Sequence, residues 1–195
     1  MLYHRLTGEA ARSFAHQLAD LRLKVFWDFP YLYEGSHAYE MKYLETYFQA
    51  KHSYVFLIED HGRIVGATTG IWAQEEEENF KKPFSNVGID PAEVFYFGES
   101  VLLPEYRGKG LGKKFFEERE RFAATLPFIK YASFCAVERP HDHPLRPHDY
   151  QPLDTFWNMM GFKSRPGLTT EYSWKDRGEE IETKKLMQFW IKEIR

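Results

Sequence analysis

Apolar and polar positions along the chain change rhythm several times, and each change marks an element. The opening "LYHRL" reads as a short strand. From Gly8 the period lengthens: Phe14, Leu18, Leu21 and Val25 recur on one face, predicting a helix that stops ahead of Pro30. A loop, "PYLYEGSHAY", leads into a second helix over 37–50, with Ser36 as its N-cap. Its stripe of Tyr39, Tyr43, Leu44, Tyr47 and Phe48 is of the kind that packs on a sheet.

Two apolar runs follow in "SYVFLIEDHGRIVGATTGIWA", joined by Asp60-His61-Gly62-Arg63, a hairpin signal in which Gly62 takes positive φ. "QEEEENFKKPFSN" reads as a polar, solvated loop, and "EVFYFGESVLL" as the longest strand. Beyond the glycines at 108–112 the pattern is helical again: Leu111, Phe115, Phe122 and Leu126 share a buried face, and the Glu- and Arg-rich face is wet. Pro127 ends that helix, and "FIKYASFCAV" is an interior strand. "ERPHDHPLRPHDYQP" is a long proline-rich loop, "LDTFWNMMGF" a short helix capped by Asp154 and stopped at Gly161, and the remainder two strands around "KDRGEE". No internal repeat interrupts this order.

Composition narrows the possibilities. At 195 residues one domain with a sizeable core is expected. A net charge of -3 supplies no basic field, so neither nucleic acid nor an anionic membrane is an expected partner. One cysteine, Cys135, rules out an internal disulfide and multi-cysteine zinc sites. The early charges Arg5, Glu9, Arg12 and Asp20 break any apolar leader, so a cytoplasmic protein is expected.

The segment "LLPEYRGKGLGKKFFEERERFA" carries the chemistry. Strand, glycine turn and helix together leave outward-facing N–H groups at a helix start, a place that favours an anion. The spacing is neither G-x-G-x-x-G nor G-x-x-x-x-G-K-[ST], so both common nucleotide motifs are excluded. Residues alone leave a pyrophosphate cradle and a packing turn both open. Arg107-Gly108-Lys109-Gly110-Leu111-Gly112, however, resembles the acyl-CoA signature [RQ]-x-x-G-x-[GA] of the GNAT superfamily of N-acyltransferases, matching at Arg107, Gly110 and Gly112. The element order resembles that family over about residues 1–192, and "FWNMMGF" is similar to its "FYxxxGF" helix.

The resemblance implies a single-domain α/β fold: a mixed central sheet of six to seven strands with helices on both faces. It implies acetyl-CoA as co-substrate, no metal, and an amine on a small molecule or protein as acceptor. A homodimer is common among proteins of the fold. The amides from Arg107 through Gly108, Lys109, Gly110, Leu111 and Gly112, with Lys113, would hold the pyrophosphate. Leu102 and Leu103 on the preceding strand would meet the pantetheine arm, the Leu102 amide at the thioester carbonyl. Trp157 occupies the position where the family commonly has an acidic tyrosine, and an indole only donates a hydrogen bond. Tyr150, Cys135 or solvent are the substitutes for protonating the thiolate. Glu99, among apolar neighbours in "YFGESVLL", is the expected base, with desolvation lifting it toward the working range. Cys135 reads as a small buried hydrophobe rather than a nucleophile, so transfer is expected to be direct. His141, His143 and His148 lie in a loop expected to contact the acceptor, with "DFPYLYEGSHAYE" as the other wall; Glu34 and Glu40 there read first as ordinary surface charges, with attraction of a cationic amine as the alternative. Two rival readings remain: a non-catalytic acyl-CoA-binding module, and a transferase using another donor such as an aminoacyl-tRNA.

Overall fold

A computed structural model describes residues 1–195. The elements run β1 (Leu2–Leu6), α1 (Ala15–Phe26), α2 (His37–Gln49), β2 (Ser53–Asp60), β3 (Arg63–Trp72), α3 (Glu78–Asn86), β4 (Val94–Leu102), α4 (Leu111–Ala123), β5 (Tyr131–Val137), α5 (Asp154–Met159), β6 (Lys163–Trp174) and β7 (Thr183–Glu193). All seven strands form one sheet in the order β1-β2-β3-β4-β5-β7-β6. Every pairing is antiparallel except β4 with β5, so this is the mixed sheet expected. α1 and α2 cover one face of its centre, and α4 the other.

Most boundaries follow the apolar rhythm, and the exceptions have causes. Residues 8–14 form a 3-10 turn ahead of α1, which ends at Phe26. Ser36 does cap α2, accepting from the Tyr39 amide. "QEEEENFKKPFSN" is not a solvated loop: it holds α3, whose Phe80 packs on Tyr96 and Tyr172 and whose Phe84 is fully buried against Phe189. Pro83 inside α3 cannot bond the Asn79 carbonyl, which instead accepts from the Thr170 hydroxyl on β6 at 3.4 Å. Asp154 is the first residue of α5 rather than its cap; that place belongs to Leu153, with no side-chain hydrogen bond.

The face of α4 expected to be wet is also partly buried. Glu118 is 2 % exposed and sits at the seam of three elements, bonded by Arg5 of β1, Tyr54 of β2 and Arg121 of α4 itself. Burial works against its charge, but those donors outweigh it and hold the carboxyl down to about 2.

The decisive feature lies at the sheet's centre. β4 and β5 pair only at Val94↔Tyr131, Phe95↔Ala132 and Tyr96↔Ser133, and then separate. On the other edge of β4, Thr68 pairs with Ser100 and Gly70 with Phe97, so Gly98 and Glu99 together face Thr69. This bulge twists the strand away from β5 and re-aims the Glu99 side chain.

Candidate active site

The parting of β4 and β5 opens a cavity of about 1280 Å³. Leu102 and the glycine turn, the α1–α2 loop and the loop between β5 and α5 all line it. Gly108 and Gly110 take φ of +73° and +78°, and nothing stands within 4 Å of where a side chain would project from either. That open, left-handed backbone is what glycine supplies at no steric cost. The first bond of α4 runs from Lys114 N to Gly110 O at 3.2 Å, leaving the preceding amides without helical partners.

Arg107, Gly108, Gly110, Gly112, Lys113 and Trp157 line the cavity. Three other sequence-assigned residues do not. Leu103 is fully buried and its amide is spent on Val65 O at 3.0 Å; the Leu111 side chain is in the core; Lys109 donates to Glu105 O at 2.9 Å.

Glu99 lines the same cavity at 6 % exposure, within a buried charged cluster that sequence reasoning missed. Arg22 of α1 lies 2.5 Å from its Oε2 and also grips the fully buried Glu40 of α2. Burial opposes the Arg22 charge, but Glu99, Tyr43 and Glu40 outweigh it and hold the guanidinium well above its ordinary pKa. The Tyr43 hydroxyl donates to Glu99 Oε2 at 3.4 Å, while Oε1 is buried with no hydrogen-bond partner. Arg119 of α4, the second missed cation, donates to Glu99 O and to Ser100 Oγ, and its guanidinium lies 4.1 Å from the Phe97 ring centre. Burial pushes it down to about 9.

Tyr150 is half-buried on the cavity wall, edge-on to Phe29 at 4.6 Å and beneath the Arg146 guanidinium. Burial raises its pKa, so the hydroxyl stays protonated. Trp157 packs against Phe134 and Trp190. Cys135 is buried, its sulfur 3.1 Å from the Tyr96 hydroxyl, and burial pushes the thiol up to about 12. It is a poor nucleophile.

The α1–α2 loop and the loop between β5 and α5 are joined to each other. Phe29 meets both Tyr150 and His143, and Arg139 holds Pro30 O, Tyr31 O and both Asp176 oxygens. Glu34 is a surface charge paired with Lys175 at 2.6 Å, whereas Glu40, expected at the surface, is fully buried under Arg22. His141, His143 and His148 form no cluster with other ligand-type side chains. No helix is long and apolar enough to cross a membrane.

This strand-splayed sheet with its glycine turn has known counterparts. The model of the Acetyltransferase (GNAT) family matches residues 21–146, and the chain belongs to that family. Its members transfer acyl groups from acyl-CoA, so the protein is an acetyltransferase by class. No curated protein matches at the level of sequence. Among solved structures, the loading GNATL domain of CurA from Lyngbya majuscula superposes with a TM-score of 0.62 at 14 % identity, over 100 % of this chain and 98 % of that one. An N-acetyltransferase from Staphylococcus aureus Mu50 gives 0.62 at 10 % identity, covering both chains completely. An aminoglycoside 6'-N-acetyltransferase complexed with coenzyme A gives 0.60 at 14 %, over 100 % and 98 %.

Proposed function

We propose that the protein moves an acetyl group from acetyl-CoA directly to a primary amine, with Glu99 taking the proton that the amine loses. Glu99 carries this reading: it lines the cavity that the glycine turn also lines, and its Oε1 is buried and unpartnered. A buried carboxylate oxygen without a donor is costly unless something else supplies one. An acceptor N–H, or a water between, would do so.

The other roles follow from the backbone. The free amides at the start of α4, with Lys113 beside them, suit the pyrophosphate. Leu103 N donates to β3 at Val65 O, so strand alternation turns the Leu102 N–H toward the edge that β5 has left. There it would stabilise negative charge on the thioester oxygen as the amine attacks. Tyr150, a protonated hydroxyl on the cavity wall, would return a proton to the leaving thiolate, a role Trp157 does not fill. The inert thiol of Cys135 supports direct transfer over an acyl-enzyme. Trp157 also motivates a second reading, a domain that binds acyl-CoA without turnover.

Thermal unfolding with acetyl-CoA tests the donor. At 100 times Kd the ligand adds about 2.7 kcal/mol, a rise of roughly 5–10 °C for a chain of this size. Gly110→Glu should abolish the rise; no rise at saturation would overturn the reading. Coenzyme A release with a panel of primary amines then separates an enzyme from a binding module.

A further inference from the structure

Arg119 is a buried cation with no carboxylate in its grip. It stands on α4 at 2 % exposure and lines the cavity, as Gly98, Glu99 and Ser100 do. Its Nε donates to Phe115 O at 3.3 Å, Nη1 to Glu99 O at 3.1 Å and to Thr69 O at 3.5 Å, and Nη2 to Ser100 Oγ at 2.9 Å. Every one of these acceptors is a neutral oxygen. Arg22, by contrast, answers its own burial with two carboxylates. Taking a guanidinium out of water without an opposite charge is expensive, and the Phe97 and Phe116 ring centres, 4.1 and 4.8 Å away, offset only part of that. An apolar side chain would fill the same interior at lower cost.

What the four bonds secure is the β4 bulge. Gly98 and Glu99 together face Thr69 there, and one nitrogen of Arg119 meets Thr69 O on β3 and Glu99 O on β4. The other terminal nitrogen holds Ser100, the next residue. Thr68 adds its hydroxyl, which donates to Glu99 O at 2.6 Å and lies 3.2 Å from Ser100 Oγ. Beyond Tyr96, β4 has no pairing with β5, so no ladder on that edge fixes its course. Glu99 is instead held at two points. Arg22 of α1 and Tyr43 of α2 take its carboxylate, and Arg119 of α4 and Thr68 of β3 take its carbonyl.

We propose that Arg119 is a positioning residue for the transfer: it locks the β4 bulge from the α4 side and so keeps the Glu99 carboxyl aimed at the attacking nucleophile. The inference rests on Glu99 acting as the base. Arg119 works through Glu99 and moves no proton itself. A catalytic group misplaced by about 1 Å loses on the order of a hundredfold in rate, and a bulge released from its bonds has that freedom. None of the atoms Arg119 holds belongs to the glycine turn, so acetyl-CoA binding should survive its loss.

The test is coenzyme A release from acetyl-CoA with water as the acceptor. Arg119→Met keeps the volume and removes the donors, so kcat should fall roughly ten- to a hundredfold with KM for acetyl-CoA nearly unchanged. Arg119→Lys should recover most of the loss, because Glu99 O and Thr69 O meet the same nitrogen and one ammonium serves both. The losses should not add: Arg119→Met placed in Glu99→Gln should be no slower than Glu99→Gln alone. Losses that multiply, or a kcat that holds while only Tm falls, would make Arg119 purely structural and overturn the proposal. Undiminished release in Glu99→Gln overturns the base and the positioning with it, whereas a slow Glu99→Gln beside an unaltered Arg119→Met overturns the positioning alone. Ser100→Ala deletes one hydroxyl and frees Nη2, so it should show the same split in milder form even if Arg119→Met does not fold; an unaltered kcat there counts against the lock. A second measurement needs no turnover. In 13C NMR of protein labelled at the glutamate carboxyls, the signal that vanishes in Glu99→Gln should be a single line in the wild type and should broaden or split in Arg119→Met. An unchanged line overturns the proposal.

Discussion

Arg22 neutralises two carboxylates at once, Glu40 and Glu99, from a position only 7 % exposed. Replacing it by methionine keeps the volume and removes the charge, leaving both acids buried without a cation. Breaking a buried pair in this way costs about 3–5 kcal/mol. Urea denaturation of Arg22→Met should show that loss, and adding Glu40→Gln to it should recover part. A fall below 1 kcal/mol would mean that water already solvates the cluster. The sequence held half of this. Arg22 falls four residues after Leu18 and three before Val25, inside the apolar stripe that predicted α1, and a charge there is a signal of burial. Arg119, four after Phe115, is the same signal in α4. Their partners were not legible, because Glu40 and Glu99 reach Arg22 only once α2 and β4 pack on α1. The burial of Glu99 was legible in its apolar neighbours; the cation beside it was not.

Elements built on local pattern were readable, and those stabilised from a distance were not. The strands and α4 declare themselves by period and by glycine, whereas α3 hides Phe80 and Phe84 among charges and a mid-helix Pro83 whose lost bond is offset by Thr170, far along the chain. The glycine turn allows a sharper statement. Gly110 has positive φ, so Gly110→Ala should cost about 1–2 kcal/mol. Gly112 lies within α4 at ordinary φ, and a methyl there would meet only the Phe156 ring at 3.7 Å. Gly112→Ala should therefore stabilise the free protein by about 0.5–1 kcal/mol. If the proposed pyrophosphate site is right, it should nonetheless weaken acetyl-CoA, by placing a methyl where the phosphates would approach the amides. Paired unfolding and calorimetric titration check this, and equal affinity in Gly112→Ala would move the pyrophosphate off the turn.

At the scale of the whole molecule, Arg139, on the cavity wall, ties the α1–α2 loop to the β6–β7 turn. Arg139 leaves β5 and enters a gap between the α1–α2 loop and the β6–β7 turn. Its Nε donates to Pro30 O at 2.7 Å and Nη2 to Tyr31 O at 2.8 Å, while Nη1 and Nη2 grip Asp176 at 2.6 and 2.8 Å. The backbone on either side adds Glu34 N to Lys175 O and Arg177 N to Leu32 O, but those bonds lie at the ends of a contact that Arg139 centres. A lysine offers one ammonium point in place of a planar fork and does not reach four acceptors in two directions. Arg139→Lys should thus behave nearly as Arg139→Ala, each losing about 2–4 kcal/mol as Asp176 is left half-paired beside Lys185. Hydrogen exchange locates the effect: amides at 32–34 and 175–177 should lose protection, while β2 and β3, whose ladder does not pass through Arg139, keep theirs. Rescue by lysine, or a uniform loss over the sheet, would show that the two loops are held by their own backbone bonds and that this wall of the cavity is set without Arg139.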